Sequence, residues 1–275
     1  MSDFIDDQEI EKLSPKEREL LEKILKEQKE NGISITHGTL LNSIYDEIPV
    51  DPMEFIESSK YLGLKDVMFN RIKYLFCEID DDEIREAWLA LGRGSGKSYL
   101  SSALTLRSLY RLLCLKSPQK YFNIAPETEI VSINVSVNAS QAKRVIFKTI
   151  VGRLAISPWF EGKYEVLTAE VRFPEKNIMA YAGNSSSPGW LGYSFIHAIL
   201  DEADWFVDNQ NRSNAQELLD TLIGSLRTRW QDAGKLIVIS SPASDSGFIM
   251  ENIARLRKDK VKDLNLGDWP KERNV

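Results

Sequence analysis

The strand-like run Trp88-Leu89-Ala90-Leu91 passes straight into Gly92-Arg93-Gly94-Ser95-Gly96-Lys97-Ser98, and a helical pattern begins at Lys97. No other stretch restricts the fold as strongly. Alternate glycines let the backbone curl so that several N–H groups point at one anion, and the following helix adds the positive end of its dipole. Lys97 then stands where it neutralises β- and γ-phosphates, and the Ser98 hydroxyl where it ligates Mg2+. The usual spacing, G-x-x-x-x-G-K-[ST], asks for glycine at position 91, where this chain has Leu91; Gly92 and Arg93 take the next two places. The strand before and the helix after supply the setting that phosphate binding requires. The expected nucleotide-binding residues are therefore Gly92, Arg93, Gly94, Ser95, Gly96, Lys97 and Ser98.

Around this loop the pattern is α/β. A helix is expected over 97–115, a strand over 129–137, a helix over 140–154 and a hairpin of 164–173 with 177–182. A strand over 195–200, a helix over 215–226 and a last strand over 236–240 follow. Short apolar runs alternating with helical segments predict a mostly parallel central sheet flanked by helices on both faces. The apolar strand Phe195-Ile196-His197-Ala198-Ile199-Leu200 ends in Asp201-Glu202, and the C-terminal edge of such a sheet is where ligands bind. Asp201 is expected to hold Mg2+ through water, and Glu202 to orient and deprotonate an attacking water. His197, in mid-strand, reads as a packed core residue. After the last strand, Ser240-Ser241-Pro242 offers small hydroxyls that can sense a γ-phosphate, and the proline turns the chain away.

Ahead of the core, residues 1–80 read as an acidic helical lead-in. Ser14-Pro15-Lys16-Glu17 begins a helix that stops at Asn31-Gly32. Asp51-Pro52-Met53-Glu54 begins a second, with Gly63 as its stop, and a third is expected over 67–78. The net charge of −6 is unevenly spread: residues 1–90 hold 22 Asp/Glu against 11 Lys/Arg, and residues 91–275 hold 19 against 24. The acidic part is thus unsuited to gripping a phosphate backbone, which would meet the second part. Two cysteines, Cys77 and Cys114, exclude a disulfide framework, and two histidines, His37 and His197, leave little room for histidine catalysis. No apolar run reaches the roughly 20 residues of a membrane-spanning helix, and no leader pattern marks the N-terminus. The segment 251–275 is basic, with Arg255, Arg257, Lys258, Lys260 and Lys262 as candidate contacts to DNA phosphates.

Together these motifs resemble the ATPase domain of the large terminase subunits of tailed bacteriophages, over about residues 52–250. That family's phosphate loop tends to lack its first glycine and to carry an arginine four residues before the lysine, as Arg93 precedes Lys97. Leu200-Asp201-Glu202-Ala203 is similar to its Walker B strand end, and Ile239-Ser240-Ser241-Pro242 to its coupling motif. Ser140-Gln141-Ala142 looks like the start of the helix after its second strand. The stretch from Gly183-Asn184-Ser185 to Gly192 looks like its loop before Walker B, and Tyr61-Leu62-Gly63-Leu64 like its adenine-side entry. The resemblance implies a P-loop NTPase core of the RecA-like, ASCE type over 81–250. It further implies ATP and Mg2+ as cofactors, with Glu202, Lys97 and Arg93 catalytic and Ser98 and Asp201 as metal ligands. Partners implied are double-stranded DNA, a portal and a small terminase subunit. The domain would work as a homo-oligomeric ring when assembled, be monomeric in isolation, and act in the cytoplasm of an infected bacterial host.

Three departures accompany the likeness. The family's aromatic-Pro-x-Gln adenine motif is reduced to Met68-Phe69-Asn70, leaving Asn70 as the candidate. Its Arg-Gly ahead of Walker B is replaced by Trp190-Leu191-Gly192, so an arginine reaching a neighbour's nucleotide must lie elsewhere; Arg227 and Arg229 are the candidates. Its nuclease domain is not expected here, since only 33 residues follow Pro242; the resemblance then implies an ATPase fragment or a separately encoded nuclease. Two other readings remain at this level. Asp201-Glu202-Ala203-Asp204 spells the DEAD motif of superfamily 2 helicases, although Ser-Ser-Pro replaces their Ser-Ala-Thr and no second lobe fits. A nucleotide switch without hydrolysis would also use the loop, but Glu202 argues against it.

Overall fold

The computed structural model describes residues 18, 37–137, 146–185, 189–206, 214–230, 233–244 and 247–258. Apart from the helical Arg18, the helix expected from Ser14 lies outside the described residues, as does Ser140-Gln141-Ala142. The first described helices are α1 (His37–Ile44), α2 (Pro52–Glu57) and α3 (Asn70–Asp80). Asp51 caps α2 by accepting hydrogen bonds from the N–H groups of Met53 and Glu54, with Pro52 at the first helical position. This helix is shorter than the sequence predicts: it ends at Ser58, and the chain then turns through Gly63, whose φ of +60° suits glycine. The α1 helix is not marked in the sequence by charge: its eight residues carry no acidic first turn and no basic last turn.

The core follows as β1 (Glu86–Ala90), α4 (Lys97–Cys114), α5 (Pro118–Tyr121), β2 (Ile130–Ser136) and α6 (Lys148–Ile156). After these come β3 (Glu165–Val166), β4 (Glu170–Phe173), β5 (Ile178–Asn184), β6 (Phe195–Asp201), α7 (Ala215–Trp230), β7 (Lys235–Ser240) and α8 (Phe248–Lys258). All seven strands form one sheet in the order β1-β7-β6-β2-β5-β4-β3. From β1 to β5 the neighbours run parallel, and β4 and β3 return as an antiparallel edge. Every residue of β2 and β6 is buried. Since side chains alternate between faces, both faces of the sheet centre are covered; β6 accordingly reads as a near-continuous apolar run, whereas β2 buries Ser132, Asn134 and Ser136 between its apolar residues. The β1 strand, at the opposite edge, is only half-buried.

The lead-in is built onto this core. Phe55 stacks on Tyr110 of α4 at 4.8 Å between ring centroids, and Tyr61 meets Trp159 at 6.4 Å. Val50 donates its N–H to Tyr110 Oη at 3.0 Å, while the buried Arg107 donates to Val50 O at 2.8 Å and to Asp80 Oδ2 at 3.0 Å. Lys73, 1% exposed, is held by Glu57 Oε1 at 2.7 Å and Lys65 O at 2.5 Å. A buried ammonium is tolerated only when its donors are matched in this way. One consequence concerns position: Ile72 of α3 comes within 3.9 Å of the place where a Cβ on Gly96 would stand. The first turn of α3 therefore lies near the glycine loop.

Candidate nucleotide site

The parallel strands place three chain segments side by side at their C-terminal edge. The β7 strand lies between β1, which leads into the glycine loop, and β6, which ends in Asp201. In register, Leu89 pairs with Ile239 and Ile239 with Asp201. Residues 91–97, 201–202 and 240–242 thus converge although they are up to about 150 residues apart in the chain.

The loop takes the conformation that its glycines allow. Gly94 has φ +74° and Gly96 φ +94°, values at which a side chain is strained. Gly96 is the N-cap of α4 and provides no side-chain acceptor, so the first N–H groups of this 18-residue helix have no side-chain cap. That arrangement leaves N–H groups able to receive an anion. Ser95 Oγ is buried with no partner among the described residues.

Lys97 is almost fully buried, and its Nζ is shared among four acceptors. These are Leu91 O at 3.2 Å, Gly92 O at 3.3 Å, Ser241 Oγ at 2.6 Å and Glu202 Oε1 at 3.5 Å. The other Glu202 oxygen, Oε2, accepts the Ser241 N–H at 3.0 Å and the Ser240 hydroxyl at 3.4 Å. Glu202 adopts a left-handed backbone, φ +60° and ψ +45°, tied by its N–H to Ile239 O at 2.7 Å. A non-glycine residue held there costs about 1–3 kcal/mol, and such strain gathers at functional sites.

Asp201 is 4% exposed, and burial pushes its carboxyl up to about 7; the neighbouring Glu202 adds to the rise and Lys97 opposes it. Its Oδ1 is buried without a partner among the described residues. An orphaned carboxylate oxygen beside a loop bearing Ser98 offers the hard oxygen donors that Mg2+ takes. A cation that keeps its waters and is completed by phosphates needs only one or two protein ligands. Among the described residues no group of three or more His, Cys, Asp or Glu able to hold a metal occurs.

Several expected residues thus meet: Gly92, Gly94, Ser95, Gly96, Lys97 and the half-buried Ser98 in the loop, Asp201 and Glu202 at the end of β6, and Ser240 and Ser241 at the end of β7. Arg93 and Pro242 are exposed. Arg227 and Arg229, both exposed, lie in the last turn of α7 at the other edge of the sheet, where Arg229 bonds Ser194 just before β6. They are therefore remote from their own loop. His197 is buried, bonded to Ser132 Oγ through Nδ1 at 2.9 Å, and burial lowers its pKa to about 3, as suits a core residue. In the sequence Asp204 stands out only as the last letter of Asp201-Glu202-Ala203-Asp204. Its carboxylate accepts the N–H groups of Ala243 at 2.9 Å and Ile249 at 2.6 Å. An acidic residue two positions past a strand-end Asp-Glu was the available signal, but its acceptors' partners lie some 40 residues away.

A glycine loop between strand and helix, with β7 inserted between β1 and the acidic end of β6, defines a P-loop NTPase fold. The chain belongs to the family described as "Uncharacterized protein MJ0330, N-terminal P-loop domain", whose model matches residues 18–265. No curated protein matches it. Among solved structures it is similar to the HK97 bacteriophage large terminase, at 17% identity and a TM-score of 0.55, over 77% of this chain and 42% of that one. The chain thus spans less than half the length of that terminase. The Thermus phage P74-26 large terminase ATPase domain matches at 17% identity over 71% of this chain and 72% of that one, with a TM-score of 0.45. S. cerevisiae dbp5 bound to gle1 and ip6 matches at 15% identity over 72% and 45%, with a TM-score of 0.41. The fold expected from the sequence, including its likeness to terminase ATPase domains, is the fold observed. No helix among the described residues is long and apolar enough to cross a membrane.

Proposed function

We propose that this domain hydrolyses ATP with Mg2+ and uses the energy to move double-stranded DNA, as the motor part of a terminase-like packaging machine. The observation that carries the reading is the position of Lys97. Its ammonium, held at the start of the glycine loop by Leu91 O and Gly92 O, also meets Glu202 and Ser241, so the candidate phosphate-binding cation, the candidate base and the candidate sensor form one contact group. The loop N–H groups and Lys97 hold the phosphates, and Arg93 adds charge if it folds over them. Asn70, at the start of α3, is the candidate contact for the base. Ser98 and Asp201 would hold Mg2+, which when bound supplies charge neutralisation at the β- and γ-phosphates. Glu202, fixed by Ser240 and Ser241, orients and deprotonates the water in line with the γ-phosphate. Once the phosphate leaves, Ser240, Ser241 and Pro242 carry the change to the rest of the chain.

The motor reading adds a homo-oligomeric ring seated on a portal, a small terminase subunit as partner and the host cytoplasm as site of action. Arg227 or Arg229 would enter a neighbour's nucleotide site. ATP turnover per subunit, measured across protein concentrations with and without duplex DNA, tests this. Lys97→Ala should abolish binding of a fluorescent ATP analogue; retained binding would remove the loop assignment. Turnover that rises with concentration and with duplex DNA supports the ring motor. Displacement of a strand from a tailed duplex would instead favour a helicase lobe, and binding without turnover a nucleotide switch.

A further inference from the structure

We propose that Asp204 is a positioning residue that locks segment 240–243 and the first turn of α8 to the acidic end of β6. Through it, the Ser241 N–H holds Glu202 and α8 follows the state of the nucleotide site. The inference rests on the ATPase reading above. Asp204 sits in a short 3-10 turn, residues 203–205, directly after the strained Glu202. Its Oδ2 accepts the Ala243 N–H at 2.9 Å, its Oδ1 accepts the Ile249 N–H at 2.6 Å, and its own N–H reaches Ser240 Oγ at 3.4 Å.

Helices are usually capped by a residue just before them. Here residue 247 is glycine, and the carboxylate on the α8 N-terminus comes from the end of another strand. The substitution of space is tight: a Cβ on Gly247 would lie 2.6 Å from Asp204 Oδ2. One carboxylate therefore binds the sensor segment and α8 together, and charge-assisted bonds of this kind are among the stronger ones in proteins. The sensor segment is bound to the site at the same time, through Ser241 N to Glu202 Oε2 at 3.0 Å and Lys97 Nζ to Ser241 Oγ at 2.6 Å. A continuous set of short contacts thus runs from the phosphate-loop lysine through Ser241 and Ala243 to Asp204, and from Asp204 to α8. At its far end α8 carries the exposed Arg255 and Arg257, two of the candidate DNA contacts. The alternative, that Asp204 only caps α8, predicts loss of stability without a selective effect on turnover.

The two are separated by Asp204→Asn, which keeps the shape and one acceptor, and by Gly247→Ala, which pushes on the same carboxylate from the other side. Measured quantities are the dissociation constant of a fluorescent ATP analogue, kcat and KM, and the signal of a fluorophore on Ala254→Cys. Ala254 is an exposed position of α8, and the label is placed in a Cys77→Ser background. The expected result is analogue binding within about 3-fold of the parent, kcat at least 10-fold lower in both variants, and a label that responds to ATP in the parent but not in Asp204→Asn. Should one variant fail to fold, the other carries the test. A kcat within 2-fold of the parent overturns the proposal, as does a fall in kcat matched by an equal loss of binding. A silent label in a parent that binds and hydrolyses ATP overturns it too and leaves the ATPase reading standing. A parent that binds no ATP removes both.

Discussion

Replacing Glu202 by Gln separates binding from chemistry at this site. The carboxylate lies 3.5 Å from Lys97 Nζ, with side-chain exposures of 20% and 10%. At an effective dielectric near 20 the gross attraction is about 5 kcal/mol. Water reaches both groups in part, and Gln keeps an oxygen for the Ser241 N–H, so the net loss is nearer 1–2 kcal/mol. That loss falls on the form in which Lys97 is turned towards Glu202. To serve a phosphate the ammonium must leave this partner, and in Glu202→Gln it leaves more easily. ATP should therefore bind about 5–30-fold more tightly, the factor that 1–2 kcal/mol represents. Turnover should fall by about 10²–10⁴, the usual worth of general-base help. Equilibrium titration with a fluorescent ATP analogue gives the first quantity, and phosphate release in a single-turnover format gives the second. Turnover within 10-fold of the parent would show that Glu202 is not the base. Weaker ATP binding would show that the Lys97–Glu202 contact does not compete with phosphate.

His197 makes stability depend on pH in a defined direction. Burial, with a smaller effect of Lys235, lowers its pKa from the ordinary 6.5 to about 3. Below pH 6.5 the unfolded chain takes up a proton that the folded one refuses, so stability falls as pH drops from 6.5 towards 3, by at most about 5 kcal/mol. Denaturant titrations at pH 7 and pH 5 should show a smaller difference in His197→Gln than in the parent; equal differences would refute the assignment. Gly183→Ala tests packing beneath the loop ahead of β6. The added Cβ would meet Trp190 Nε1 at 3.0 Å and Ile133 Cδ1 at 3.1 Å. Overpacking of this kind costs about 1–3 kcal/mol, which a drop of several degrees in Tm by circular dichroism would register; an unchanged Tm would show that the two side chains move aside freely.

Much of this fold is legible in the sequence because its signals are local. The glycine loop needs only its own residues to curl, and the apolar run of β6 announces a strand covered on both faces. Asp51 and Pro52 mark the start of α2 whatever lies around it. Boundaries shifted where tertiary contacts decided them: α2 stops early because the chain must bring Tyr61 and Leu62 into the core, and α7 extends to Trp230 because that ring packs on Phe122 at 5.4 Å.

The sequence alone determined which residues could bind phosphate, hold a cation or act as a base, because those capacities belong to side chains and to short spacings. Only the tertiary structure decided which of them meet. Inserting β7 between β1 and β6 is a matter of strand order, which no local pattern encodes. That order sets Lys97 against Glu202 and Ser241, sends Arg227 and Arg229 to the opposite edge, and gives Asp204 its partners in a segment some 40 residues later. Hydrogen-bond partners across a parallel sheet depend on register and strand order, and these are fixed by burying all of its apolar faces at once.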